Sequence, residues 1–112
     1  MRFEYSVLDN LVQEIQSDEA EFDVNKMIND TNDMICQMNE MVVIHDMGIS
    51  VFNNSKGDKV KYTDVVRPIC DKIGVMISYI KQHNSIPDNV QSIHRLEVKY
   101  AVLKHTASFS ML

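Results

Sequence analysis

The chain is poor in the residues that punctuate structure. Three glycines and two prolines in 112 residues are too few for the closely spaced turns of a many-stranded sandwich or barrel. The glycines stand far apart, at 48, 57 and 74, which argues against a glycine-rich phosphate loop and a nucleophile elbow. Two cysteines, Cys36 and Cys70, do not make a disulfide framework or a Cys-x-x-Cys pair. They read as free thiols of a reducing compartment, which points to the cytoplasm. No apolar run approaches the roughly 18–20 residues of a membrane span. The opening MRFEYSVLDN lacks both the apolar core and the small-residue cleavage site of a signal peptide.

Positive charge is scarce in the first half. Residues 1–47 carry eleven acids against Arg2 and Lys26, whereas residues 48–112 carry nine bases against five acids. The net charge is −5, and no basic cluster is dense enough to suggest nucleic acid. Such asymmetry predicts either two halves with complementary surfaces that fold on each other, or a two-poled surface that steers a charged partner or a second copy of the chain.

What is present is apolar periodicity. Composition is ordinary for a globular chain, 45% hydrophobic and 24% charged. Leu8, Leu11, Val12 and Ile15 fall at i, i+3, i+4 and i+7, predicting a first helix over about 4–17. Asp18 followed by Glu21 has the acidic capping-box spacing. From there the seam steps Val24, Met27, Thr31, Met34, Met38, Met41, His45, an a/d pattern of about three heptads, with Ile28, Ile35 and Val42 beside it. Gly48 weakens this second helix, and NNSKG at 53–57 stops it. Residues 58–67 alternate Val60, Tyr62 and Val66 with polar residues and fit either a short strand or an extended connector. Asp64 is the expected cap of a third helix to about 83, with Ile69, Ile73, Met76, Ile77 and Ile80 on one face and Gly74 beside it, where helices can cross closely. Ser85, Pro87 and Asp88 open a fourth helix with Val90, Ile93, Leu96, Tyr100, Leu103 and Ala107 inward. The expectation is an all-α, single-domain antiparallel four-helix bundle over residues 1–112.

Five of the eight methionines lie in residues 27–47. Methionine is soft, unbranched and easily re-packed, so a concentration of it suits either a core or a docking face for a partner helix or second subunit. The residues expected to bind a protein partner are Met27, Met34, Met38 and Met41, together with Phe109, Met111 and Leu112 of the uncharged tail TASFSML. The stretch NDMICQMNEMVVIHDM resembles the heptad segment of syntaxin-type SNARE proteins, although Gln37 lies off the seam where that family has a central polar layer.

No di-iron Glu-x-x-His motif or other metal-ligand spacing occurs, so no cofactor or metal is expected. His45 continues the seam as a half-buried packing residue, and His83 closes the third helix, where a cation suits the dipole. Neither cysteine has a histidine within a helical turn, which argues against a reactive thiolate. His94 is expected at the edge of the inner stripe, partly exposed. Its setting IHRLEVKYA is similar to that of histidine phosphotransfer domains, which would imply His94 as a phosphoacceptor. Glu97 and Val98 stand where that family keeps lysine and a small residue, and an acid there repels a phosphoryl group. The expected function is a small intracellular, non-catalytic protein–protein interaction module of adaptor or inhibitor type, forming a homodimer. Its methionine, isoleucine and asparagine richness suits a viral or phage accessory protein. The alternative is a phosphotransfer-like signalling domain using His94.

Overall fold

The computed structural model describes residues 5–10 and 23–110. Among these residues the chain is mostly helical: a 3-10 turn at Ser6–Asn10, helix α1 at Val24–Asp46, strands β1 at Val51–Asn53 and β2 at Lys59–Lys61, helix α2 at Tyr62–His83, and helix α3 at Val90–Ser110, entered through a 3-10 turn at Pro87–Asn89. The mostly helical expectation holds among the described residues, with three helices and a small two-stranded hairpin that takes the strand alternative for the connector. The described part of the expected first helix is the 3-10 turn; the proposed cap at Asp18 and Glu21 lies outside the described residues.

Helix α1 starts where a carboxylate meets its free N–H groups. Asp23 sits in extended backbone, and its side chain accepts from Asn25 N (3.0 Å) and Lys26 N (3.2 Å). Replacing Asp23 by alanine is expected to cost about 1 kcal/mol, read as a lower midpoint in urea with an unchanged slope. At the other end Gly48 adopts φ +101, where a side chain would be strained. Its N–H reaches the His45 carbonyl (2.9 Å) and Ile49 N–H reaches the Ile44 carbonyl (3.2 Å). These two bonds form a Schellman motif, so Gly48 ends the helix by supplying a left-handed residue.

The NNSKG segment turns a hairpin. Phe52 faces Val60 in an antiparallel pair. Asn54 organises the turn: its side-chain oxygen accepts from Lys56 N (3.0 Å) and Asp58 N (2.9 Å), and Gly57 takes φ +85. The exposed Lys59 and Lys61 of β2 discourage edge-to-edge pairing. Helix α2 begins earlier than Asp64 because the hairpin hands over to it directly. Tyr62 N–H is held by the Ser50 carbonyl (2.8 Å), and the Tyr62 side chain is fully buried. The N-cap is Lys61, without a side-chain cap bond, and Asp64 falls inside the first turn, where its charge suits the dipole. Pro68 is therefore the seventh residue of the helix. Its missing N–H leaves the Asp64 carbonyl without the usual helical donor.

One apolar core joins these elements. It takes Met34, Ile35, Met38, Met41 and Val42 from α1, Val66, Ile69, Ile73, Ile77 and Ile80 from α2, and Ile93, Leu96, Leu103 and Ala107 from α3. Val90, expected inward, is 61% exposed, because it lies at the junction with the 3-10 turn. Buried Thr31 satisfies its hydroxyl by donating to the Met27 carbonyl (2.7 Å). Helices α2 and α3 run antiparallel and close. The Tyr100 hydroxyl donates to the Cys70 carbonyl (2.8 Å), and its ring lies over Gly74, where a Cβ would stand 2.5 Å from the hydroxyl oxygen.

Residues 5–10 strap the hairpin to α1. Tyr5 N–H donates to the Asn53 carbonyl (2.9 Å), and its ring meets Phe52 edge-on at 5.4 Å. Gln37 accepts from Val7 N (2.9 Å), and the Ser55 hydroxyl donates to the Asp9 carboxylate. Gln37, off the methionine seam, thus has a local structural partner.

Candidate interaction surface

The methionine seam faces inward. Met34, Met38 and Met41 are buried, Met38 and Met41 completely, and Met27 is partly buried against the same core. These side chains fill the chain's own interior, so they do not form an exposed docking face on the folded chain. The side chain of Phe109, and Met111 and Leu112, lie outside the described residues.

The exposed apolar surface is elsewhere. Val43 (58% exposed), on α1, and Met47 (74%), the cap residue just past its last turn, are four residues apart and make one outward row. Glu40 and Asp46, both exposed, lie on either side of that row, at i−3 and i+3 from Val43. On α3, Val98 (50%) and Val102 (59%) make a second outward row. Lys99 and Lys104 define its two flanks. Lys99 Nζ turns to Asn32 Oδ1 on α1 (2.8 Å), whereas Lys104 Nζ lies 5.3 Å from the centre of the Tyr100 ring, toward α2. Between them, Arg95 and His105 share the Val98–Val102 face and are exposed. One row is framed by carboxylates and the other by a guanidinium and an imidazole. The fourth- and third-residue spacing is visible in the sequence, but valines scattered among charges do not stand out beside a methionine heptad.

The histidines serve different purposes. His45 stacks on Tyr62 at 3.9 Å between ring centres, nearly parallel, and its Nδ1 lies 2.8 Å from Ser50 Oγ. It thereby pins the start of the hairpin to α1, in keeping with a half-buried packing residue. His83 stacks on Tyr79 (4.0 Å) and donates from Nδ1 to the Tyr79 carbonyl (3.0 Å). His94 is exposed on α3, and Glu97, one turn on, pairs with Lys81 at 3.5 Å. Among the described residues no group of histidines, cysteines and carboxylates could hold a metal ion, and no helix is long and apolar enough to cross a membrane.

The two thiols differ in environment. Cys36 is exposed on α1 and Cys70 is buried. Burial, and next the Asp71 carboxylate, push the Cys70 thiol up to about 11, against a smaller opposing effect of Lys104. Burial, then Glu40, pushes the Tyr5 phenol up to about 12. A thiol-reactive dye is expected to modify Cys36 alone in the native protein and Cys70 only after unfolding. Above pH 9 the unfolded chain releases the Cys70 proton while the folded chain retains it. Stability should therefore be intact below pH 9 and fall as the pH rises toward 11. Thermal melts at pH 8 and 10.5 check this, and Cys70→Ala should reduce the difference. Comparison of the chain with protein families, with curated proteins and with solved structures finds no match.

Proposed function

We propose that the chain is a small, non-catalytic protein–protein interaction module of adaptor or inhibitor type that works in the cytoplasm. The observation that supports this reading most is the pair of outward aliphatic rows on α1 and α3. Four large apolar side chains, each at least half exposed, sit in pairs four residues apart, three of them on α1 and α3 and Met47 at the C-cap of α1. Exposed apolar side chains grouped and rimmed by charge offer a surface on which a partner can bury apolar area. The Leu8, Leu11, Val12, Ile15 periodicity supports an antiparallel four-helix bundle as the scaffold.

The test compares capture of partners from an extract of the cells that make the protein, using the unaltered chain and the exposed-site variants Met47→Asp and Val102→Asp. A protein retained by the unaltered chain and lost from a folded variant supports the reading. Identical capture by all three overturns it, unless the chain binds itself.

A phosphotransfer reading rests on His94 alone, which is exposed on a regular helix. Acetyl phosphate would pass its phosphoryl group to an imidazole nitrogen and release acetate. An acid-labile adduct absent from His94→Ala supports that reading, and no adduct removes it. Glu97 in the adjacent turn opposes such an adduct by like-charge repulsion.

A further inference from the structure

We infer that the α1 row of one copy binds the α3 row of a second copy, so that the chain associates with itself through two different faces. The inference rests on the interaction-module reading and adds the partner. Its support is complementarity in both shape class and charge. Each row is a pair of large apolar side chains four residues apart, Val98 and Val102 within α3, and Val43 in the last turn of α1 with Met47 at its C-cap, a spacing that lets one row pack against the other. Val43 and Met47 are bordered by Glu40 and Asp46, and Val98 and Val102 by Arg95 and His105. Two α1 rows placed together would set carboxylates against carboxylates, and two α3 rows would set Arg95 against Arg95. Only the unlike pairing joins apolar to apolar and acid to base at once.

Among the described residues, Glu40, Asp46 and Arg95 make no internal ion pair that would have to break first. Lys99 and Lys104, the bases that α3 does use internally, are the ones turned away from the row. The uneven charge of the two halves of the sequence is in keeping with this pairing, because α1 lies in the acidic half and α3 in the basic half. The contact is small beside the roughly 800 Å² per partner of a standard interface, so the association is weak and concentration-dependent. A pairing of unlike faces leaves one row of each kind free, and larger assemblies grow at high concentration unless the pair closes on itself.

Sedimentation velocity with single and mixed variants tests the inference. The unaltered chain should show a mass that rises above 12.9 kDa with concentration, and less so at high salt, where screening weakens the charged borders. Met47→Asp and Val102→Asp, both at exposed positions, should each remain helical by circular dichroism and stay at the monomer mass. Mixed in equal amounts, they should form a species of twice that mass, because the intact α3 row of the first variant meets the intact α1 row of the second. Likewise Arg95→Glu alone should weaken association at least tenfold, and mixing it with Asp46→Lys should restore most of it. Association retained by Val102→Asp alone, or no recovery on mixing, overturns the pairing of unlike faces. A monomer mass at every concentration overturns self-association. If Met47→Asp also loses a captured foreign protein, the interaction-module reading then stands without it; if no capture differs, both fall.

Discussion

Replacing Met38 by aspartate is expected to unfold the protein. Met38 lies midway along α1 with its side chain fully buried among Met34, Met41 and the isoleucines of α2. A carboxylate there has no solvent or partner, so it takes up a proton instead of staying charged, and the neutral but unpaired carboxyl still costs several kcal/mol. A cavity adds to that, because aspartate is shorter than methionine. The sum approaches the whole stability of about 5–15 kcal/mol typical of a domain. Met38→Leu, close in volume and equally apolar, should cost less than about 1.5 kcal/mol. Far-UV circular dichroism with a thermal melt separates the two variants. A helical, cooperatively melting Met38→Asp would mean that the seam is not core.

Gly74→Ala should destabilise the protein by about 1–3 kcal/mol although alanine is the better helix former. Helix propensity favours the alanine by about 1 kcal/mol. Against that, the new Cβ would lie 2.5 Å from the Tyr100 hydroxyl oxygen, 3.1 Å from Cζ and 3.3 Å from Cε2. The ring is rigid and partly buried, so relief means moving it as a unit, at the usual overpacking cost of about 1–3 kcal/mol. The move also breaks the hydroxyl's bond to the Cys70 carbonyl, worth about 1 kcal/mol. The pair should be non-additive. Tyr100→Phe removes the closest contact, so adding it to Gly74→Ala should cost less than it does alone. Urea unfolding of the two single variants and the double variant gives the coupling directly. A neutral or stabilising Gly74→Ala would show that the helices part without penalty.

Particular residues show why some of the architecture was legible in the sequence. The Met34, Met38, Met41 seam and the Ile69, Ile73, Ile77, Ile80 face repeat at helical spacing, and both are core. Gly74 was recognisable as a crossing point because a residue without a side chain stood beside an apolar face. The start of α2 was not legible, since Asp64 looks like a cap until Ser50 is seen to hold Tyr62 N–H. That bond joins residues twelve apart through a hairpin that periodicity does not reveal. The same holds for the strap, whose Tyr5, Val7 and Asp9 contacts reach residues more than twenty-five positions away. Which apolar side chains the fold buries and which it turns outward was not legible for a different reason. Methionine's adaptability is shared by cores and docking faces, so composition pointed to the seam. The exposed rows are ordinary valines with one methionine, Met47, distinguished only by what the fold turns outward.

The methionine methyls themselves test the central claim, that the seam is interior and the outward rows make contact. Methyl-labelled methionine observed by NMR, with a soluble paramagnetic reagent and across a concentration series, reads Met34, Met38, Met41 and Met47 in one sample. The account predicts that the Met47 signal is broadened by the reagent in dilute solution, shifts as concentration rises, and becomes protected. The signals of Met34, Met38 and Met41 should be protected throughout and should not move. Broadening of those three by the reagent in dilute, folded protein, or a Met47 signal indifferent to concentration and to every captured partner, would contradict it.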